Sequence, residues 1–294
     1  MIRELNTNHL QQCVEIAFLR NSQPESNSAY CPKTEKGIQG DFEFLMDTPN
    51  NSMFGYFNGD TLEGILGCFV NPDNNWVDCS GPFFRGEWNQ DAAKDMLAYA
   101  KTKHTQAVRF NFYFDTRNKN LHQLLESLHA QRNDNEYVLL LKKSDYKPQQ
   151  IKHNVVAYSE NFKNDILQLK NGTWPDAYLT DNDLFNSISK DREVFCALGQ
   201  NGAFVGYGVL KRYGNDTSRM TAEVFAVAEG ARGKGYGWAL LNTVVDCALN
   251  KYDADSIDLI VDRLNTNARD LYYSCGFKLL VENASYCITI TYSK

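Results

Sequence analysis

Ala228-Glu229-Gly230-Ala231-Arg232-Gly233-Lys234-Gly235-Tyr236-Gly237 is the stretch from which the rest of this chain can be read. Before it, residues 221–227 are apolar on both faces, the pattern of a strand inside a sheet. After it, Leu240, Leu241, Val244, Val245 and Ala248 recur at helical spacing. The stretch therefore joins a strand to a helix and carries alternate glycines at 233, 235 and 237. Glycine lets backbone amides approach a ligand closely, and a helix start adds partial positive charge, so the corner suits a diphosphate. A plain glycine-rich turn is the alternative. Two common nucleotide fingerprints fail. A P-loop needs Ser or Thr after its lysine, where Gly235 stands, and G-x-G-x-x-G from Gly233 needs glycine at Trp238.

Arg232-x-x-Gly235-x-Gly237 resembles the acyl-CoA loop, Q/R-x-x-G-x-G/A, of the GNAT superfamily of N-acetyltransferases. Residues 256–261 read as the next strand. Asn265-Thr266-Asn267-Ala268-Arg269-Asp270-Leu271-Tyr272-Tyr273-Ser274-Cys275-Gly276-Phe277 then resembles the family's N-x-x-A-x-x-L-Y-x-x-x-G-F segment. The resemblance is clear over 151–294 and faint over 1–146. It implies that acetyl-CoA sits where strands 222–227 and 256–261 splay apart. Phe225, Ala226 and Val227 would pair with the pantetheine arm, and the Val227 amide would polarise the thioester carbonyl. Arg232, Gly233, Lys234, Gly235, Tyr236 and Gly237 would hold the diphosphate, and Asn265 would touch the pantetheine or order the next helix. Tyr272 is the implied general acid, with Tyr273 as the lesser choice. Glu223, expected on the same strand face as Phe225 and Val227, is the candidate base, or else a salt-bridged glutamate. Asp262 is the alternative base or a capping residue. Many family members place proline after the valine, where this chain has Ala228-Glu229-Gly230.

The pattern of elements occurs twice. Residues 53–57 and 62–70 flank Asn58-Gly59 as a hairpin, and residues 194–198 and 203–211 flank Asn201-Gly202 in the same way. Arg85-Gly86 precedes Arg232-Gly233 by 147 positions, an offset shared by Asn118 and Asn265, Leu124 and Leu271, and Ser127 and Ser274. The joint expected between the copies is Lys147-Pro148-Gln149-Gln150. The fold class is α/β (α+β), with two GNAT-like domains, each a mixed, centrally splayed sheet flanked by helices. The expected domains are 1–146, a degenerate copy, and 151–294, the catalytic one. At the 147 offset Gly235 becomes Trp88, Gly237 becomes Gln90, Tyr272 becomes Leu125 and Gly276 becomes His129, so the first copy should keep the fold without acetyl transfer.

Composition narrows the partners. The 294 residues carry a net charge of −6, which disfavours nucleic acid as a ligand. No apolar run approaches the ~18 residues of a membrane helix, and the first residues lack the build of a secretory signal. The eight cysteines show no C-x-x-C spacing, so no metal is expected and a reducing, cytoplasmic setting is. No histidine lies beyond His153, which removes a Ser-His-Asp triad from the second half. The expected activity is transfer of an acetyl group from acetyl-CoA to a primary amine, small molecule or peptide, by direct attack in a ternary complex. The resemblance implies an acceptor wall at Trp174, Pro175, Asp176, Tyr178 and Phe185, with helix core packing as the alternative. A homodimer is left open. The competing readings are aminoacyl transfer from charged tRNA and a non-catalytic acyl-CoA-binding module.

Overall fold

In the computed structural model, which describes residues 1–290 except 73, 175–178 and 214–215, the chain divides into two compact units. One consists of Met1–Glu136 with Glu282–Lys294, the other of Tyr137–Val281. The expected boundary at 146–151 is thereby corrected. The short strand that closes the first half belongs to the second unit, and the last strand of the chain returns to the first. An edge strand needs any partner that satisfies its N–H and C=O groups, and the partner need not come from the same stretch of sequence.

The first unit contains β1 (Ile2–Glu4), α1 (Leu10–Asn21), α2 (Glu35–Asp47), β2 (Ser52–Asn58), β3 (Thr61–Asn71), β4 (Trp76–Phe84), α3 (Gln90–Lys103), β5 (Arg109–Asp115), α4 (Lys119–Ser127) and β6 (Gln131–Arg132). Its strands run in the order β1-β2-β3-β4-β5, followed by the end of strand Lys278–Thr289, which pairs antiparallel with β5 and β6. α1 and α2 cover one face through Ile16, Phe42 and Leu45, packed on Met53, Ile65 and Phe83. α3 and α4 cover the other through Met96, Leu97, Leu124 and Leu125, packed on Phe110, Phe112 and Phe114. The buried residues alternate along β5 only in part, as expected of a strand covered on both sides.

The second unit repeats the scheme with β7 (Glu136–Lys142), β8 (Asn154–Ala157), α5 (Lys163–Thr173), α6 (Asp181–Asn186), β9 (Arg192–Leu198), β10 (Phe204–Tyr213), β11 (Asp216–Val227), α7 (Tyr236–Asp246), β12 (Ser256–Asp262), α8 (Thr266–Ser274) and β13 (Lys278–Thr289). Its strand order is β7-β12-β11-β10-β9-β8, with the start of β13 beside β7. α7 buries Leu240, Leu241, Val244 and Val245, the residues picked out by helical spacing. It runs on into a single π turn, Cys247–Lys251. The 147 offset holds in detail at α4 and α8. Asn118 and Asn265 are their N-caps, accepting from the Leu121 and Ala268 amides, and His129 and Gly276 both take positive φ just past their ends.

Each sheet is mixed and splayed at one parallel pair. In the first unit β4 and β5 pair only at Trp76, Val77 and Asp78 with Arg109, Phe110 and Asn111. In the second, β11 and β12 pair only at Arg219, Met220 and Thr221 with Ser256, Ile257 and Asp258. A polar tie closes the last rung of each. The Asn111 amide donates to Asp78 at 2.8 Å, and the Thr221 hydroxyl donates to Asp258 at 2.7 Å, with Arg219 also on that carboxylate.

Candidate active site

Beyond Thr221 the edge of β11 that faces β12 has no strand beside it among the described residues. Its polarity follows from the other side. The Ala228 amide donates to the Val205 carbonyl at 2.9 Å, and Val227 and Phe225 stand opposite Gly206 and Gly208. In an antiparallel ladder bonded and non-bonded pairs alternate, so Phe225 and Val227 are the non-bonded ones. Their N–H and C=O groups point away from β10 and into the splay. The spacing is that of a strand edge, ready to bond an extended chain. Among the described residues the one group that meets these atoms is the Arg232 Nε, which donates to the Val227 carbonyl at 3.0 Å and leaves its amide open.

The strand reaches this arrangement through a bulge. Val224 stands opposite Val209 and Ala222 opposite Leu210, so Glu223 is the extra residue. The bulge resets the alternation. Ala222 and Phe225 face the α7 side, whereas Val224 and Ala226 face the α5 side. Glu223 therefore does not share a face with Phe225 and Val227, which corrects the expectation from simple alternation. Its carboxylate is buried and held at both oxygens by Arg192, Nε to Oε2 at 2.5 Å and Nη2 to Oε1 at 2.8 Å, with the Lys211 ammonium 3.5 Å away. Arg192 in turn donates to the Ser187 hydroxyl at 2.9 Å. A carboxylate gripped in a bidentate pair is a poor proton acceptor, because binding a proton would forfeit those bonds. The geometry favours the salt-bridged reading of Glu223 over the base.

After Val227 the chain makes one 3₁₀ turn, Glu229–Ala231, which places Gly233 and Gly235 at φ of 73° and 88°. Both are left-handed conformations that other residues resist. Gly235 is the N-cap of α7 and, lacking a side chain, makes no cap bond. The amides of Gly233, Lys234 and Gly235 have no partner among the described residues, and those of Tyr236 and Gly237 open the helix, where no intrahelical acceptor exists. Five successive N–H groups at this corner thus lack an acceptor among the described residues. The Lys234 ammonium folds back on the Gly230 carbonyl at 2.8 Å. Tyr236 is buried with Ala197, Ala231 and Leu240 and serves the core.

Tyr272 lies on α8 beside Ala268, Leu271 and Cys275, with its ring 6.2 Å from that of Phe277. Burial pushes its phenol up to about 12. Tyr273, on the next position, is exposed. The Asn265 side chain accepts from the Ala268 amide at 3.2 Å and so orders α8. Asp262 accepts from the Leu264 amide at 2.6 Å in the turn before α8, whose N-cap is Asn265, so it does not take the helix-capping role expected of it. Trp174 is exposed at the end of α5, and Phe185 packs 5.9 Å from Tyr158. Pro175, Asp176 and Tyr178 lie outside the described residues.

Sequence reasoning missed His153. Its ring sits 4.4 Å from that of Tyr236, and its Nε2 is 2.9 Å from where a Cβ on Gly235 would stand. Nothing in periodicity or spacing ties a residue before β8 to a loop more than 80 positions later.

The chain is similar to known proteins in sequence over part of its length and in fold over nearly all of it. Residues 159–277 match the acetyltransferase (GNAT) family. They form a GNAT-family domain. A search of curated proteins by sequence finds no match. Among solved structures, a tandem GNAT protein from the clavulanic acid biosynthesis pathway aligns over 100% of this chain and 99% of its own, with a TM-score of 0.72 at 12% identity. A GCN5-related N-acetyltransferase from Sphaerobacter thermophilus aligns over 98% and 95%, with a TM-score of 0.78 at 13% identity. A GNAT-family acetyltransferase from Colwellia psychrerythraea aligns over 98% and 100%, with a TM-score of 0.60 at 12% identity. At such identities the structures share the fold with this chain. The GNAT family is one of acyl transfer, and the chemistry available to this chain is acyl transfer in that general sense. No helix among the described residues is long and apolar enough to cross a membrane.

Proposed function

We propose that the second unit transfers an acetyl group from acetyl-CoA to a primary amine, and that the first unit binds no acyl-CoA. The observation that carries this reading is the open edge at Phe225 and Val227 leading directly to the unpartnered amides of 233–235. One edge suits an extended amide-bearing arm, and the corner suits a diphosphate. Gly233 and Gly235 take the left-handed φ on which this corner of unpartnered amides depends, so the residues present fit the group. Acetyl-CoA would supply the activated acyl group. The chain's own contribution is to hold it and to place the amine.

In this reading the Val227 amide polarises the acyl carbonyl and stabilises negative charge that develops on its oxygen, an effect worth a few kcal/mol of barrier. Tyr272 remains protonated at neutral pH, since burial lifts its phenol to about 12, and delivers its proton to the departing thiolate. The attacking amine loses its proton through water, because Glu223 is engaged by Arg192. Proximity supplies much of the remaining acceleration. The cysteines are free, seven of them buried, so a reducing compartment such as the cytoplasm suits the protein.

The test is release of thiol from acetyl-CoA against a panel of amines, with Tyr272→Phe alongside. Amine-dependent release that collapses in the variant, while acetyl-CoA binding persists, supports the proposal. Binding without release toward any amine would make the unit an acyl-CoA sensor.

A further inference from the structure

On the side of the loop nearest β8 and β9 lies an open cavity of about 550 Å³ lined by His153, Gln200, Asn201, Lys234 and Tyr236. β8 pairs with β9, which brings His153 beside the turn that carries Gln200 and Asn201. The His153 ring is half-buried against Tyr236 and abuts Gly235, in the middle of the unpartnered amides. Neither of its ring nitrogens has a hydrogen-bond partner among the described residues. Lys234 reaches the same cavity, and no acidic side chain lines it.

A diphosphate on the loop amides leaves the ring nitrogens of His153 unused. A CoA thioester carries one phosphate more, on its ribose 3′-oxygen, and a phosphate monoester brings nearly two negative charges and three strong acceptors. An imidazole N–H and an ammonium lining one cavity are the donors such a group requires. We infer that His153 and Lys234 form a subsite for the ribose 3′-phosphate of the acyl donor, so that this unit selects CoA thioesters over thioesters lacking that phosphate. The inference rests on the acyl-CoA reading above.

The test is equilibrium binding of acetyl-CoA and of its 3′-dephospho analogue to the full chain, to His153→Ala and to Lys234→Met. The parent should prefer acetyl-CoA by roughly tenfold or more, the size expected for a charge-assisted contact. Each variant should narrow the gap by weakening acetyl-CoA more than its 3′-dephospho analogue. Lys234 is exposed on the loop, so its variant keeps the test intact if His153→Ala fails to fold. Equal affinity of the parent for both thioesters overturns the inference, as does a preference that survives in both variants. Binding of neither thioester overturns the acyl-CoA reading and this inference with it.

Discussion

The two splays have the same frame and opposite contents. In the second unit the edge of β11 is open among the described residues and runs into a corner of free amides. In the first unit residues 27–32 lie in the splay itself. The alternation fixed by the Thr116 amide on Glu282 and the Ile290 amide on Val108 turns the Tyr113 and Asp115 backbones away from the last strand and toward β4. There the Ala29 amide donates to the Tyr113 carbonyl at 2.7 Å, and the Asp115 amide donates to Asn27 Oδ1 at 3.2 Å. The Ser28 hydroxyl reaches the Cys79 carbonyl on the opposite strand at 3.5 Å. Buried Asn21 clasps the segment, donating to the Cys31 and Pro32 carbonyls and accepting from the Asn27 side chain and the Ser28 amide.

The corners differ in the same sense. Five residues, 85–89, join β4 to α3, where eight, 228–235, join β11 to α7. Asn89 caps α3 by accepting from the Ala92 amide at 3.0 Å, so a donor left free in the second unit is used here. Arg20 gathers the Phe84, Arg85 and Gly86 carbonyls. Trp88 packs edge-on against Phe84 at 5.4 Å. The first unit meets the needs of its splay from its own chain, which teaches that one frame can be completed by backbone groups of its own.

The sharpest way to break this comparison is at Tyr272. Tyr272→Phe should lower kcat by about 10²–10⁴-fold while acetyl-CoA affinity is held, as read by steady-state kinetics beside a titration. A parent-like kcat would remove the acid role. Next is Glu223→Gln, which leaves Arg192 buried without its counter-charge. Stability should fall by on the order of 3 kcal/mol in urea unfolding, with the acidic limb of the pH–rate profile unmoved. Loss of that limb at unchanged stability would restore Glu223 as the base. In the first unit, Asn27→Ala should cost about 1–3 kcal/mol of stability and leave acetyl-CoA affinity as it was, since it empties hydrogen bonds of the filled splay only. The smallest effect is in pH. Tyr272 has its folded pKa raised to about 12, above its ordinary value near 10. Its stabilising contribution is therefore complete below pH 10 and is lost as pH climbs through 12. The rate should show no Tyr272 limb between about pH 7 and about pH 10, a flatness measurable on kcat.

Much of this was legible in the residues. Asn58-Gly59 and Asn201-Gly202 marked both hairpins, and the 147 offset from Asn118 to Asn265 survives as two matching helix caps. The alternate glycines at 233, 235 and 237 marked the corner of unpartnered amides between β11 and α7. What stayed hidden depends on contacts that local pattern does not encode. A bulge at Glu223 turns on one extra residue between β10 and β11, and alternation alone placed its side chain on the wrong face. The exchange of closing strands is a choice of partner, not of conformation. Asn21, Asn27 and Ser28 read as ordinary loop residues until they are found between two strands. The loop of the first copy also contracts by three residues, so the 147 offset equated Trp88 with Gly235, whereas the N-caps that correspond are Asn89 and Gly235.

The central claim is that only one of the two splays receives an acyl donor. A calorimetric titration of the full chain with acetyl-CoA, beside Gly235→Trp, tests it most directly. A side chain at Gly235 meets both a positive φ and His153, so the variant should lose the site. One site per chain, absent in the variant, is the predicted result. Two sites per chain, or one that survives Gly235→Trp, would contradict it.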